Sequence, residues 1–197
     1  DFNIGVLFLE DPNIDAARRF VAVRGRVPYH LPKTVYDEQE FRATANEVLG
    51  KDRICFYNND QFAANSKDEV LSKIKQMIRV HNCKIFFLDH ITFITSASAE
   101  GDERRSIDEM MTEIKALTVN EGVNIHAVSH FKRLSGTSHE NGAAGSINDF
   151  RGSGAIAQLA NVALSLERNG QAPEPTERNT TTIRVLKNRL SGKTGEA

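Results

Sequence analysis

Lys84-Ile85-Phe86-Phe87-Leu88-Asp89 (KIFFLD) sets four consecutive apolar residues between a lysine and a carboxylate. So short an unbroken apolar run reads as a strand covered on both faces, since a half-exposed strand would alternate polar and apolar. Ile4 to Leu9 (IGVLFL) is a second such run and ends at Glu10. Asn124 to Ser129 is a third strand, ending at His130.

Helical patterns fill the intervals. Asp11-Pro12 opens a helix with an acidic cap and proline at the first helical position, and Ile14, Ala17, Phe20 and Val21 form its apolar stripe. A second helix, about Asp37 to Leu49, stops at Gly50. Ile54 to Tyr57 is a short strand. Ser66-Lys67-Asp68-Glu69 has the form of a capping box and starts a helix with Val70, Leu71, Ile74, Met77 and Ile78 on one face. A polar loop, Ser96 to Gly101, leads to a helix whose inner face is Ile107, Met111, Ile114 and Leu117.

Beyond His130 the pattern loosens. Phe131 to Phe150 is long, polar and rich in Gly and Ser, which predicts a functional loop. Gly152 to Asn161 is a short helix, Val162 to Leu166 a strand and Ala172 to Asn179 a loop. Thr181 to Lys187 alternates as a sheet-edge or hairpin strand does. The order strand–helix–strand–helix predicts an α/β fold, a mostly parallel sheet flanked by helices. Ligands of such sheets lie beyond the carboxyl ends of the strands, where Glu10, Asp89 and His130 fall. One polar residue closing a strand commonly just caps the next helix. Three on one sheet edge point to a site.

The chain has 197 residues, enough for one substantial domain. Its 40% apolar and 26% charged residues suit a folded soluble protein. With a formal net charge of -1, any charge for nucleic acid has to be local or assembled from several subunits. Cys55 and Cys83 lack CxxC spacing and read as small buried thiols in a reducing compartment. No run approaches the roughly 18 apolar residues of a membrane span, and no signal segment opens the chain. The chain starts at Asp1, without an initiator Met and directly before a strand, as a fragment would.

Chemically, KIFFLD has the form of a Walker B strand, whose carboxylate holds a hydrated Mg²⁺ on a nucleotide. Glu10 suits a base that orients and deprotonates an attacking water. His130 suits a γ-phosphate sensor, because a neutral imidazole can donate one hydrogen bond and accept another. Three other patterns fail. Ser191-Gly192-Lys193-Thr194 mimics the end of a phosphate loop, but Lys187 stands where GxxxxGK[ST] needs Gly and no helix follows. Gly152 to Ala157 imitates a dinucleotide fingerprint without a buried strand before it. His126 and His130 lack further ligands for a metal site.

Several blocks in order carry a resemblance. Leu88-Asp89-His90-Ile91, then Ser96-Ala97-Ser98 and Asp102-Glu103-Arg104-Arg105, resemble the Walker B segment of the T-odd phage primase-helicases. These are ring-shaped replicative DNA helicases of the DnaB and Twinkle group, built on the RecA core. Leu9-Glu10, Ser129-His130-Phe131-Lys132, Asp149 to Ala155, Gln158-Leu159, Leu166 to Asn169 and Leu186 to Arg189 match in the same order, as do Gly192 and Thr194-Gly195. The similarity spans essentially the whole chain and is most specific from Lys84 onward.

The resemblance implies one RecA-like motor domain over residues 1–197, lacking the first strand, the phosphate loop with its helix, the linker helix and any primase domain. It implies a 5′–3′ helicase that hydrolyses ATP or another NTP or dNTP with Mg²⁺ while moving on single-stranded DNA, though this chain alone would bind nucleotide poorly. Glu10 would activate water, Asp89 would hold Mg²⁺ through its waters, and Gln158 would contact the nucleotide. His130 would couple the γ-phosphate to the loop that follows it. Arg189 would be an arginine finger toward a neighbouring identical subunit, assisted by Lys187; such fingers are worth ~10³–10⁵ in rate. Lys132, Arg133, Arg151 and Gly152 would line the DNA path, with the loop Ser96 to Gly101. The implied partners are identical subunits in a hexamer or similar ring, single-stranded DNA and a replisome polymerase and primase, with no membrane; the implied location is the cytoplasm of a bacterial host. Two alternatives stay open, a RecA/RadA- or KaiC-like ATPase and a non-hydrolytic DNA-binding or assembly module on the same core.

Overall fold

β1 (Asn3–Phe8) and β3 (Cys83–Asp89) run parallel and side by side, with Ile4 opposite Ile85 and Phe8 opposite Asp89. The computed structural model describes residues 2–57, 66–92, 103–132, 138–151 and 154–196. Two compact units emerge, Asp1–Ala97 with Ala116–Val128, and Ser98–Lys115 with Ser129–Ala197. Among the described residues no helix is long and apolar enough to cross a membrane.

The first unit holds a four-stranded parallel sheet in the order β2-β1-β3-β4, with β2 at Ile54–Phe56 and β4 at Asn124–Ala127. Val6, Leu7, Phe86 and Leu88 are buried in it and Leu9 just beyond it, but the expected double cover of β3 is incomplete, since Phe87 on its other face is 36% exposed. α1 (Asn13–Gly25) and α2 (Glu38–Leu49) follow β1. Val21, Ala22 and Tyr29 form a small core with Val27, Phe41, Ala45 and Leu49 packed against it. α2 is capped by the Asp37 carboxylate, which accepts from the Glu40 amide, and it stops at Gly50. α3 (Lys67–His81) starts at Ser66, whose hydroxyl accepts from the Glu69 amide. Its expected face, Val70, Leu71, Ile74, Met77 and Ile78, is buried throughout.

α4 (Glu103–Asn120) buries Ile107, Met111, Ile114 and Leu117 as the spacing predicts, and Met110 with them. In the second unit α5 (Gly154–Leu159) precedes β5 (Val162–Glu167). After α6 (Pro175–Arg178) come β6 (Thr182–Asn188) and β7 (Gly195–Glu196). These three strands make an antiparallel sheet in the order β5-β6-β7.

Three local expectations are corrected and one is narrowed. Asp11 does not cap α1: its carboxylate pairs with Arg19, and Pro12 takes the cap position with no side-chain bond. Ile14 is 60% exposed, and Ala16 and Ala22 are buried with Val21 instead. Thr181 to Lys187, expected as a sheet-edge or hairpin strand, is β6, which pairs antiparallel with both β5 and β7, so of the two alternatives the hairpin one holds. The segment Ala172 to Asn179 contains the helical turn α6, with Pro175 at its start. The loop Ser96 to Gly101 lies outside the described residues.

Cys83 is buried, and its thiol is pushed up to about 12 by burial and then by the Cys55 thiol, as an inert core cysteine should be. Gly5 is a point of close approach in the sheet. A Cβ there would enter the van der Waals shell of the Phe86 ring and stand 3.3 Å from the Met77 sulfur. Gly5→Ala is expected to destabilise the fold by about 1–3 kcal/mol, the usual range for overpacking a filled core. Thermal or denaturant unfolding of the two forms measures it.

Candidate functional site

In the first unit the parallel register brings two acidic residues to neighbouring strand ends. The Leu9 amide donates to the Asp89 carbonyl at 2.8 Å, which carries the pairing one step beyond β1. Glu10 is the next residue, its side chain 56% exposed. β4 is stitched to β3 in the same way: the Val128 amide reaches the Leu88 carbonyl at 2.9 Å, and the Ile91 amide reaches the Val128 carbonyl at 3.0 Å. Glu10 and Asp89 therefore meet at the carboxyl edge, where ligands of α/β sheets bind.

In contact with Glu10 is a residue that sequence reasoning passed over. His90 is buried, and its Nε2 lies 3.0 Å from Glu10 Oε1. Its Nδ1 lies 2.7 Å from the hydroxyl of Thr92, also buried. The LDHI string contained His90, but a histidine after a strand end has no periodicity that would single it out.

No group of three or more His, Cys, Asp or Glu among the described residues could hold a metal unaided. Mg²⁺ on a nucleotide keeps several waters and takes one or two carboxylates together with substrate phosphates. Asp89, half-buried at its strand end, has the chemistry for this.

The second unit gathers the remaining residues in two places. His130, Lys132 and Arg151 share a short antiparallel pairing, all three with exposed side chains. The Arg151 amide donates to the His130 carbonyl at 2.9 Å and the Lys132 amide to the Asp149 carbonyl at 2.7 Å, with Phe131 bridging to Phe150. The two ends of the long loop are thus tied together. Ser146 and Asp149 form a capping box around a 3-10 turn at Ile147–Asp149. Arg133 and Gly152 lie outside the described residues.

The other place is the C-terminal end of α5. Lys187 Nζ donates to the carbonyls of Ala157 at 2.6 Å and Gln158 at 2.9 Å. Arg189 Nη2 donates to the Gln158 carbonyl at 2.8 Å. The last carbonyls of a helix have no partner within it, and cations there also oppose the helix dipole. Gln158, Lys187 and Arg189 thus converge through a backbone oxygen, while the Gln158 side chain is exposed. Burial, then the charges of Arg189 and Lys115, lowers the pKa of Lys187.

Glu167 anchors the second unit and was not singled out from the sequence beyond its place in the Leu166 to Asn169 block. Its carboxylate accepts from the Gly145 amide at 2.8 Å, the Ser165 hydroxyl at 2.6 Å and Arg184 Nε at 3.0 Å. Partial burial pushes its pKa up, but the bonds from Arg184, Ser165 and Gly145 outweigh this and bring it down to about 2.

Residues 1–197 match the family model described as DnaB-like helicase C terminal domain. The chain belongs to that family. It is 35% identical over 199 residues to a DNA helicase/primase of Enterobacteria phage T3, covering 98% of this chain and 34% of the relative. The chain therefore spans about a third of that relative's length. Among solved structures it superposes on an ATPase domain with a TM-score of 0.77 at 18% identity, over 100% of this chain and 70% of that one. A DnaB-like replicative helicase, studied with primase, gives 0.77 at 19% identity, over 100% and 48%. A KaiC-like protein of Pyrococcus horikoshii OT3 gives 0.61 at 17%, over 99% and 69%. The RecA-like α/β fold expected from the sequence is thereby borne out.

The lowered pKa of Glu167 predicts how stability depends on pH. A carboxylate at about 2 when folded, against 4.5 ordinarily, stabilises the fold at and above pH 4.5. That contribution, about 3 kcal/mol, is lost as pH falls from 4.5 through 2. Denaturant unfolding of wild type and Glu167→Gln should differ by a few kcal/mol at pH 7 and converge near pH 2.

Proposed function

We propose that this chain is a single motor domain of a ring-forming replicative helicase, hydrolysing an NTP to move 5′–3′ on single-stranded DNA. The carrying observation is a family match over the whole chain together with Glu10 and Asp89 meeting at one sheet edge. The phage T3 relative, named a helicase/primase, supports a replicative role beside a primase and a polymerase, in the cytoplasm of a bacterial host.

In this reading Glu10 holds the attacking water. The water oxygen bonds to the γ-phosphorus while the bond from phosphorus to the β–γ bridging oxygen breaks, its electron pair remaining on the diphosphate. The water proton passes to the Glu10 carboxylate. Asp89 would hold Mg²⁺ through its waters, and the ion would neutralise charge on the phosphates. Gln158 contacts the nucleotide. His130 reports the state of the γ-phosphate to Lys132 and Arg151, whose backbones are tied to it and to each other's ladder. Lys132, Arg133, Arg151 and Gly152 follow the DNA backbone without reading sequence, as charge contacts do. Arg189, with Lys187, serves the nucleotide of the next identical subunit, which is why a hexamer or similar ring is the working form.

The test is NTP hydrolysis by the full-length gene product with and without single-stranded DNA. Hydrolysis should be DNA-stimulated, fall by ~10²–10⁴ in Glu10→Gln, and fall by ~10³ or more in Arg189→Ala. Mixing those two variants should restore part of the rate, because some interfaces then combine an intact Glu10 with an intact Arg189. Absence of DNA stimulation overturns the helicase reading. Lys132→Ala and Arg151→Ala should each weaken single-strand binding and reduce the salt dependence of log K by about 0.7 for each phosphate no longer neutralised.

A further inference from the structure

We propose that His90 is the positioning residue of Glu10, held in turn by Thr92, and that the three form a relay of hydrogen bonds ending on the carboxylate that faces the attacking water. The proposal rests on Glu10 being the base of the reaction proposed above. Its geometry stands by itself.

The direction of each bond follows from the chemistry of the partners. An ionised carboxylate only accepts, so at 3.0 Å from Glu10 Oε1 the Nε2 of His90 carries the proton and donates. In a neutral imidazole the other nitrogen is then an acceptor, and the Thr92 hydroxyl at 2.7 Å donates to Nδ1. The chain runs from Thr92 O–H to Nδ1, and from Nε2–H to Oε1. It selects one tautomer and one ring orientation.

Burial makes the arrangement effective. Glu10 is 56% exposed, so by itself its carboxylate could adopt several rotamers in water. The His90 side chain is 7% exposed, and it is fixed in the chain beside Asp89. A mobile carboxylate is thus clamped at one oxygen by a buried, oriented donor, leaving Oε2 for water. Loss of this clamp leaves the base present but misaimed, and misplacement of about 1 Å can cost ~10²-fold in rate. The effect belongs in kcat, since the nucleotide itself is not touched.

The experiment uses the full-length gene product and four variants. His90→Phe keeps the ring and removes both nitrogens, His90→Gln restores an Nε2 donor, and Thr92→Val removes only the hydroxyl. The fourth combines His90→Phe with Glu10→Gln. His90→Phe should lower the kcat of NTP hydrolysis on the order of 10- to 100-fold with KM little changed. His90→Gln should recover much of that loss, and Thr92→Val should show a smaller fall. With Glu10→Gln already present, His90→Phe should add almost nothing, because it acts only through that carboxylate. Imidazole nitrogen NMR of the wild type should show Nε2 protonated, a readout that needs no activity and survives if a variant fails to fold.

A ring without a proton on Nε2 overturns the proposal, and so does an unchanged kcat in His90→Phe or an equal loss with and without Glu10. A wild type that does not hydrolyse nucleotide defeats the helicase reading instead, while the ring's tautomer still decides the contact.

Discussion

The register of β1 against β3 is the constraint from which the rest of the first unit follows. With Phe8 opposite Asp89, the next backbone bond, from the Leu9 amide to the Asp89 carbonyl, brings Glu10 out beside the Walker-type carboxylate. A slip of one residue would turn one strand's side chains over relative to the other's and part the two acids by one strand residue, about 3.3 Å. Gly5 locks that register, because it pairs with Phe86 and leaves room for the ring of its own partner. The same close approach that fills the core therefore sets the spacing of the candidate base and metal carboxylate.

In the second unit Glu167 has the comparable role. One carboxylate joins the Gly145 amide of the long loop, the Ser165 hydroxyl of its own strand and Arg184 of β6. Glu167 thus pins the described part of the loop to the sheet at Gly145, and the ladder joining 130–132 to 149–151 ties the loop's two ends to each other. Lys132 and Arg151 are consequently presented from a braced backbone.

Much of this was legible in the sequence where a pattern repeats. The face of α3 from Val70 to Ile78, the inner face of α4 and the buried strands all follow from periodicity, which local residues dictate. The pairing of Glu10 with Asp89 was legible too, since adjacent parallel strands place their carboxyl ends together. What escaped depends on partners chosen in three dimensions. Asp11 looked like a cap until Arg19 took its carboxylate. Thr181 to Lys187 read as an edge or a hairpin strand, and only the pairing with the two residues of β7, which carry no strand pattern, decides for the hairpin. His90 and Glu167 draw their meaning from residues 80 and up to 22 positions away, a separation that no local reading spans.

The C-terminal end of α5 bears on what it takes to lend a side chain. Arg189 bonds the Gln158 carbonyl, but Lys187 bonds that same oxygen and the Ala157 carbonyl as well. If Arg189 turns away, neither oxygen is stranded, and the departure forfeits one hydrogen bond to a charged group, about 1.5–3 kcal/mol in general and less at an exposed position. A negatively charged visitor can outbid that easily. With Lys187 on both oxygens, the end of the helix keeps its hydrogen bonds whether or not Arg189 holds its own.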